Sequence, residues 1–75
     1  MSKELKFEDA VEGLVVQDAI SFYNTGFVTH KSRFWLEKYA ENYNRDFEEA
    51  QLMHNVLFPY AYKWVGDSNG QATLN

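Results

Sequence analysis

A seven-residue repeat of apolar positions runs through the second half of the chain and restricts the folds open to it. Its two registers, offset by four residues, contain Leu36, Tyr43, Ala50, Leu57 and Trp64, and Ala40, Phe47, His54 and Ala61. Side chains at alternating steps of four and three residues form one stripe along an α-helix. No glycine or proline interrupts the repeat before Pro59. The pattern therefore predicts an all-α fold.

The repeat permits two arrangements of the chain. In the first, one helix runs from about 30 to 58 and kinks at Pro59, and the stripe that it exposes requires a dimer. In the second, helices at about 30–43 and 46–65 form a hairpin around Tyr43-Asn44-Arg45, because Asn and Asp compete for backbone hydrogen bonds and cap helices. We favour the second, a small bundle of about three helices, because a monomer needs this fold-back to build a core.

The first half of the chain predicts one further helix. It should run from about Glu4 or Phe7 to Tyr23, where apolar residues recur at helical spacing. Gly26 follows in an Asn-Thr-Gly sequence and suits the left-handed cap that commonly ends a helix. Thr29 is a suitable N-cap for the helix that follows.

The length of 75 residues fits one domain. We predict a helical domain over residues 1–66 and a flexible tail over 67–75, where glycine and small polar residues are concentrated. A domain this small is marginally stable, and without cysteine it has no disulfide to help. The N-terminal ten residues lack the apolar core of a signal peptide, and no apolar run is long enough to cross a bilayer. We therefore expect a cytoplasmic location and no membrane partner.

The segment from Ala50 to Val65 is apolar nearly all round, with Lys63 as its one charge at neutral pH. A helix of this kind needs cover on all sides, and the chain has one other substantial apolar helix to offer. We assign Leu57, Ala61 and Trp64 to the core. The opposite residues are predicted to bind a partner, and they are Met53, Val56, Tyr60, Tyr62 and Lys63.

A second candidate surface combines basic and aromatic residues near the start of the second helix. Lys31 and Arg33 oppose the helix dipole there, so local helix stability does not explain them. With Trp35 they are predicted to contact a partner. The net charge of −4 nevertheless argues against direct nucleic-acid binding, which requires a basic face. The acidic stretch around Glu48 and Glu49 is interpreted as a solvated helix face, with DNA mimicry as an alternative.

The sequence contains no recognisable arrangement for catalysis or for holding a cofactor or metal. Cysteine is absent, the serines have no neighbouring base and acid, and there is no glycine-rich phosphate loop. His54 lies on the apolar stripe, and a Glu-x-x-His motif would need Glu where Gln51 stands. We interpret His54 as a core or interface histidine satisfied by one hydrogen bond, and His30 as a solvated turn residue. No enzymatic activity and no cofactor are expected.

These features predict a small acidic protein-binding module that binds and regulates or inhibits a larger protein. Aromatic residues make up 17% of the chain, and aromatics are enriched where proteins bind one another. In type, though in no motif, the chain resembles small acidic inhibitors of host proteins encoded by phages and plasmids. The alternatives are a homodimeric structural or adaptor protein and a nucleic-acid-linked regulator that uses the basic patch or DNA mimicry.

Overall fold

The computed structural model describes residues 6–28 and 31–68, and these form three packed α-helices. Helix α1 spans Phe7–Thr25, α2 spans Lys31–Asn42 and α3 spans Phe47–Asp67. The predicted all-α bundle of three helices is confirmed. The alternative of one long helix from about 30 to 58 is wrong, because the chain reverses direction between α2 and α3.

Helix α1 begins at Phe7, one of the two predicted starts, and runs two residues beyond the predicted end at Tyr23. Gly26 ends it with a φ of 82°, and its N–H donates to the carbonyl oxygen of Phe22 at 2.8 Å. An L side chain rarely adopts this φ, so glycine is favoured here. The predicted cap is confirmed, whereas Thr29 lies outside the described residues.

The reversal between α2 and α3 depends on Asn44, which has a φ of 56°. The N–H groups of Asn44 and Arg45 donate to the carbonyl oxygens of Glu41 and Ala40, at 3.2 and 2.7 Å. These two bonds form a Schellman motif, in which one left-handed residue ends a helix. Asp46 then starts α3 by accepting a hydrogen bond from the N–H of Glu48 at 3.0 Å. One helix therefore stops and the next starts within a few residues.

Arg45 joins this turn to the beginning of α1. Its guanidinium lies 4.5 Å from the ring centroid of Phe7 and 3.9 Å from the Glu8 carboxylate. It also pairs at 2.5 Å with Glu49, which lies four residues later in the chain. Exposed ion pairs contribute little individually, so the main effect of Arg45 is to cover one face of the Phe7 ring.

The apolar repeat forms the core within one chain instead of a seam between two chains. Leu36, Ala40 and Ala50 are buried. Other members of the repeat, together with neighbouring residues, pack against the central cluster of Phe7, Val11, Leu14, Val15, Leu36 and Ala50, and they include Tyr43, Phe47, Leu57 and Ala61. Ala50 is fully buried, and its small side chain lets neighbouring helices approach closely.

Helix α3 continues through Pro59 and Gly66 to Asp67, past the predicted end of the helical domain at residue 66. Pro59 has no N–H to donate to the carbonyl oxygen of Asn55, and its ring lies on the exposed side of the helix. At Gly66 the helix passes the ring of Tyr23. A Cβ atom added at Gly66 would lie 3.5 Å from Cε2 of Tyr23, which is an ordinary van der Waals contact. Residues 69–75 of the predicted tail lie outside the described part of the chain.

The reversal at Asn44 can be tested with two substitutions. We expect Asn44→Val to lower the free energy of unfolding by about 1–2 kcal/mol, because a β-branched residue is strained at positive φ. Asn44→Gly should change it by no more than about 0.5 kcal/mol, because glycine adopts this conformation freely. Asn42→Val makes the same side-chain change inside α2, where the two residues have similar helix propensities, and should have little effect. Urea unfolding measures all three, and equal losses in Asn42→Val and Asn44→Val would contradict this role.

Candidate functional site

Several large apolar side chains are exposed on the face of α3 that points away from the core. Leu52, Val56 and Tyr60 recur at steps of four residues, which places them on one side of the helix. Their exposed fractions are 64%, 54% and 73%. Pro59 and Lys63 extend the same side and are also exposed. We call these five residues the outer face of α3.

Three of the predicted partner-binding residues therefore lie together on this face, namely Val56, Tyr60 and Lys63. Met53 does not join them, because it is half-buried and packs against the core cluster. Trp64, which the sequence assigned to the core, is 45% exposed. Helix α2 is about 18 Å long and α3 about 31 Å, so α2 can cover at most the first part of α3. This difference in length explains why Met53 is covered and Trp64 is not.

Tyr62 belongs to a separate aromatic cluster between α1 and α3. Its ring centroid lies 5.5 Å from that of Phe22 and 5.9 Å from that of Tyr23, both on α1. On α3 it stacks on Phe58 at 6.2 Å, and Phe58 stacks in turn on His54 at 5.9 Å. The edge of this cluster is open to solvent, but its rings already contact one another. Tyr62 therefore has a packing role and lies on a different side of the helix from Tyr60.

The basic residues near the start of α2 do not form one surface. The guanidinium of Arg33 lies 5.2 Å from the ring centroid of Phe47 on α3 and 3.9 Å from the Glu37 carboxylate. Lys31 and Trp35 are exposed further round α2. The ring centroids of Trp35 and Phe34 lie 5.5 Å apart. The ammonium of Lys38 lies over the Phe34 ring, 5.4 Å from its centroid. Arg33 is thus turned toward the hairpin, away from Lys31 and Trp35.

Two acidic residues interrupt the remaining patch on α2. A shallow depression of about 190 Å³ there is lined by Phe34, Glu37, Lys38 and Glu41. Carboxylates thus lie close to both Arg33 and Lys38. This mixture of charges disfavours the binding of a phosphate backbone, which requires a basic surface.

A buried polar pair connects α1 to α3. The Nε2–H of His54 donates to Oδ2 of Asp18 at 2.7 Å, and the two side chains are 12% and 2% exposed. His54 thus has the single hydrogen bond that was predicted, but that bond satisfies only one of its two ring nitrogens. The second ring nitrogen, Nδ1, is buried without a hydrogen-bond partner among the described residues. Asp18 was not predicted from the sequence, although an acid on the apolar side of a predicted helix is the signal that could have revealed it.

The described residues contain no group of three or more His, Asp or Glu side chains that could hold a metal ion. Within the same part of the chain, no helix is both long and apolar enough to cross a membrane. Comparisons with protein-family models, with curated proteins and with solved structures find no match.

The Asp18–His54 pair can be tested by a double-mutant cycle. We expect His54→Phe to cost about 2–4 kcal/mol of stability, because it leaves the Asp18 carboxylate buried without its donor. Asp18→Leu should cost about 1–3 kcal/mol, because it removes the acceptor of His54. The loss of stability in the double variant should be smaller than the sum of the two single losses by at least about 1 kcal/mol. Asp18→Leu combined with Val56→Ala is the control, because the effects of distant substitutions on stability should add. Additivity for Asp18 and His54 as well would refute the coupling.

Proposed function

We propose that this chain is a protein-interaction module that docks on a larger protein through the outer face of α3 and regulates or inhibits that protein by occupying its surface. The observation that carries the proposal is the exposure of Leu52, Val56 and Tyr60 on one side of one helix. Large apolar side chains scattered singly over a surface need no explanation, but a contiguous set is typical of binding sites.

Energetic considerations support this surface over the others. Full burial of a Leu or Val side chain is worth about 1.5–3 kcal/mol, and a tyrosine ring adds a large, rigid contact area. Val56 and Tyr60 have no ring contact or hydrogen bond among the described residues that would compete with a partner. The aromatic cluster around Tyr62, by contrast, already satisfies much of its own packing.

The charges at the two ends of the outer face define the partner's chemistry. Glu48 and Glu49 lie in the first turn of α3, and Lys63 lies near its other end. A complementary partner offers an apolar helix or groove with a cation near the glutamates and an anion near Lys63. Helix-in-groove docking of this kind uses side chains at steps of three and four residues, as the outer face provides.

Direct nucleic-acid binding has less support as an alternative. It would use the α2 patch, where Arg33 pairs with Glu37 and where Glu41 lies beside Lys38. Acidic mimicry of DNA also stays an alternative, and it would use the exposed carboxylates instead of the apolar outer face. The proposed role needs no cofactor and no catalytic group.

The stability of the isolated chain tests whether the outer face is free of the core. We expect Val56→Ala and Tyr60→Ala each to change the free energy of unfolding by no more than about 0.5 kcal/mol, because both side chains are mostly exposed. Leu36→Ala, at a core position, should cost about 2–4 kcal/mol. Urea unfolding compares the three variants. Losses of similar size would mean that the outer face serves the fold.

Site-specific photocrosslinking tests the docking itself. A photoreactive phenylalanine derivative at Tyr60 should crosslink a larger protein in the source cells, and the same group at Gln17, exposed on α1, should not. The protein identified by mass spectrometry, once purified, should bind the wild-type chain at least about tenfold more tightly than Val56→Glu, since a charge buried in an interface is costly. Gln17→Glu should bind like the wild type. Equal crosslinking at both positions, or unchanged affinity of Val56→Glu, would contradict the proposal.

A further inference from the structure

We propose that a second copy of this chain occupies the outer face of α3, with the two α3 helices packed antiparallel about a two-fold axis near Val56. The inference rests on the proposed function in taking the outer face as the docking surface, and it goes beyond it, because a second copy on this face would compete with a larger protein for the same residues. It differs from the long-helix dimer considered from the sequence, because the stripe used there forms the core of the monomer.

The spacing of residues on α3 is symmetric about Val56. Leu52 and Tyr60 lie four residues before and after it, and Glu49 and Lys63 lie seven residues before and after it. In an antiparallel pair centred on Val56, Leu52 of one copy therefore faces Tyr60 of the other. Each helix has a rise of about 1.5 Å per residue, so both ends of the contact lie about 10 Å from its centre. The apolar residues meet in the middle and the charged residues at the two ends.

The charges at the ends are complementary in this arrangement. Lys63 of one copy lies beside Glu48 and Glu49 of the other, and the two-fold axis repeats the contact at the opposite end. Neither Glu48 nor Lys63 forms an ion pair with another described residue, so both are available. Glu49 is held by Arg45 through Oε1, which leaves its second carboxylate oxygen to accept.

A parallel pair of α3 helices would place the same charges against each other. Glu48 and Glu49 would face their own copies at one end, and Lys63 would face Lys63 at the other. Like charges across a helix pair are destabilising, so the charge pattern selects the antiparallel orientation. Helices α1 and α2 pack on the opposite side of α3 and leave the outer face accessible.

The size of the contact predicts a reversible dimer. It involves about four turns of one helix from each copy. The area that such a contact buries lies at or below the lower end of the range for stable interfaces. The average mass in sedimentation equilibrium should therefore rise from the 8.8 kDa of one chain toward twice that value as the concentration increases from about 10 µM to about 1 mM. Val56→Glu should remain monomeric over the same range.

Single-cysteine variants test the geometry, because the natural chain contains no cysteine. Val56→Cys should form a disulfide-linked dimer at least about tenfold faster than Gln17→Cys, an exposed control on α1, under the same mild oxidation. When Leu52→Cys and Tyr60→Cys proteins of different tag length are mixed, the mixed disulfide should form faster than either homodimer. Circular dichroism melts establish that each variant is folded before oxidation.

Each outcome of these experiments supports or overturns the inference. Concentration-dependent mass, rapid linkage at Val56 and preference for the mixed disulfide support it. A chain that stays monomeric up to about 1 mM, or linkage at Val56 no faster than at Gln17, overturns it. Preference for homodimers in the mixture overturns the antiparallel orientation. A monomer whose Tyr60 position still crosslinks a different, larger protein would reject the second copy as partner while the proposed function stands.

Discussion

The reversal of the chain at Asn44 is the feature on which the rest of the structure depends. A left-handed residue ends α2, and the side chain of Asp46 starts α3 two residues later. This turn folds a continuous apolar repeat back on itself, so that α2 and α3 enclose the buried side of α1. Without the turn, the same repeat would form one long exposed stripe and require a second chain. A local backbone preference thus decides between a monomer core and an intermolecular seam.

The buried pair of Asp18 and His54 adds a polar constraint to this apolar packing. Apolar side chains tolerate small shifts between helices, because burial has little directional preference. A carboxylate that is 2% exposed does not tolerate such a shift, since any movement that separates it from Nε2 leaves it without its donor. We regard the pair as a device that fixes how α1 lies along α3, at some cost in desolvation. The stacking of Phe58 and Tyr62 beyond His54 continues the same contact toward the end of α3.

The proposed interaction surface follows from the supply of helices in so short a chain. Helix α3 is apolar on most sides, yet two helices can cover only part of its circumference. The side left uncovered contains Leu52, Val56 and Tyr60, with charges of opposite sign at its two ends. A larger protein or a second copy of the chain would complete the cover that the fold itself lacks. In either case, binding would remove apolar surface from water without requiring chemistry from the chain.

The sequence by itself determined the helical class, the cap at Gly26 and the apolar stripe that contains Leu36, Ala40 and Ala50, because these depend on local preferences and on the period of the apolar pattern. It favoured the hairpin over one long helix without deciding between them. It also separated Val56 and Tyr60 from the core stripe. It assigned Met53 to the exposed side of α3 and Trp64 to the core, opposite to their places in the structure. It also grouped Arg33 with Lys31, and it did not reveal Asp18 as the partner of His54. Those positions depend on how far each helix reaches along its neighbours and on contacts between residues distant in the chain. Helical periodicity gives the angle of a side chain around its own axis, whereas only the packed structure decides what lies opposite that angle.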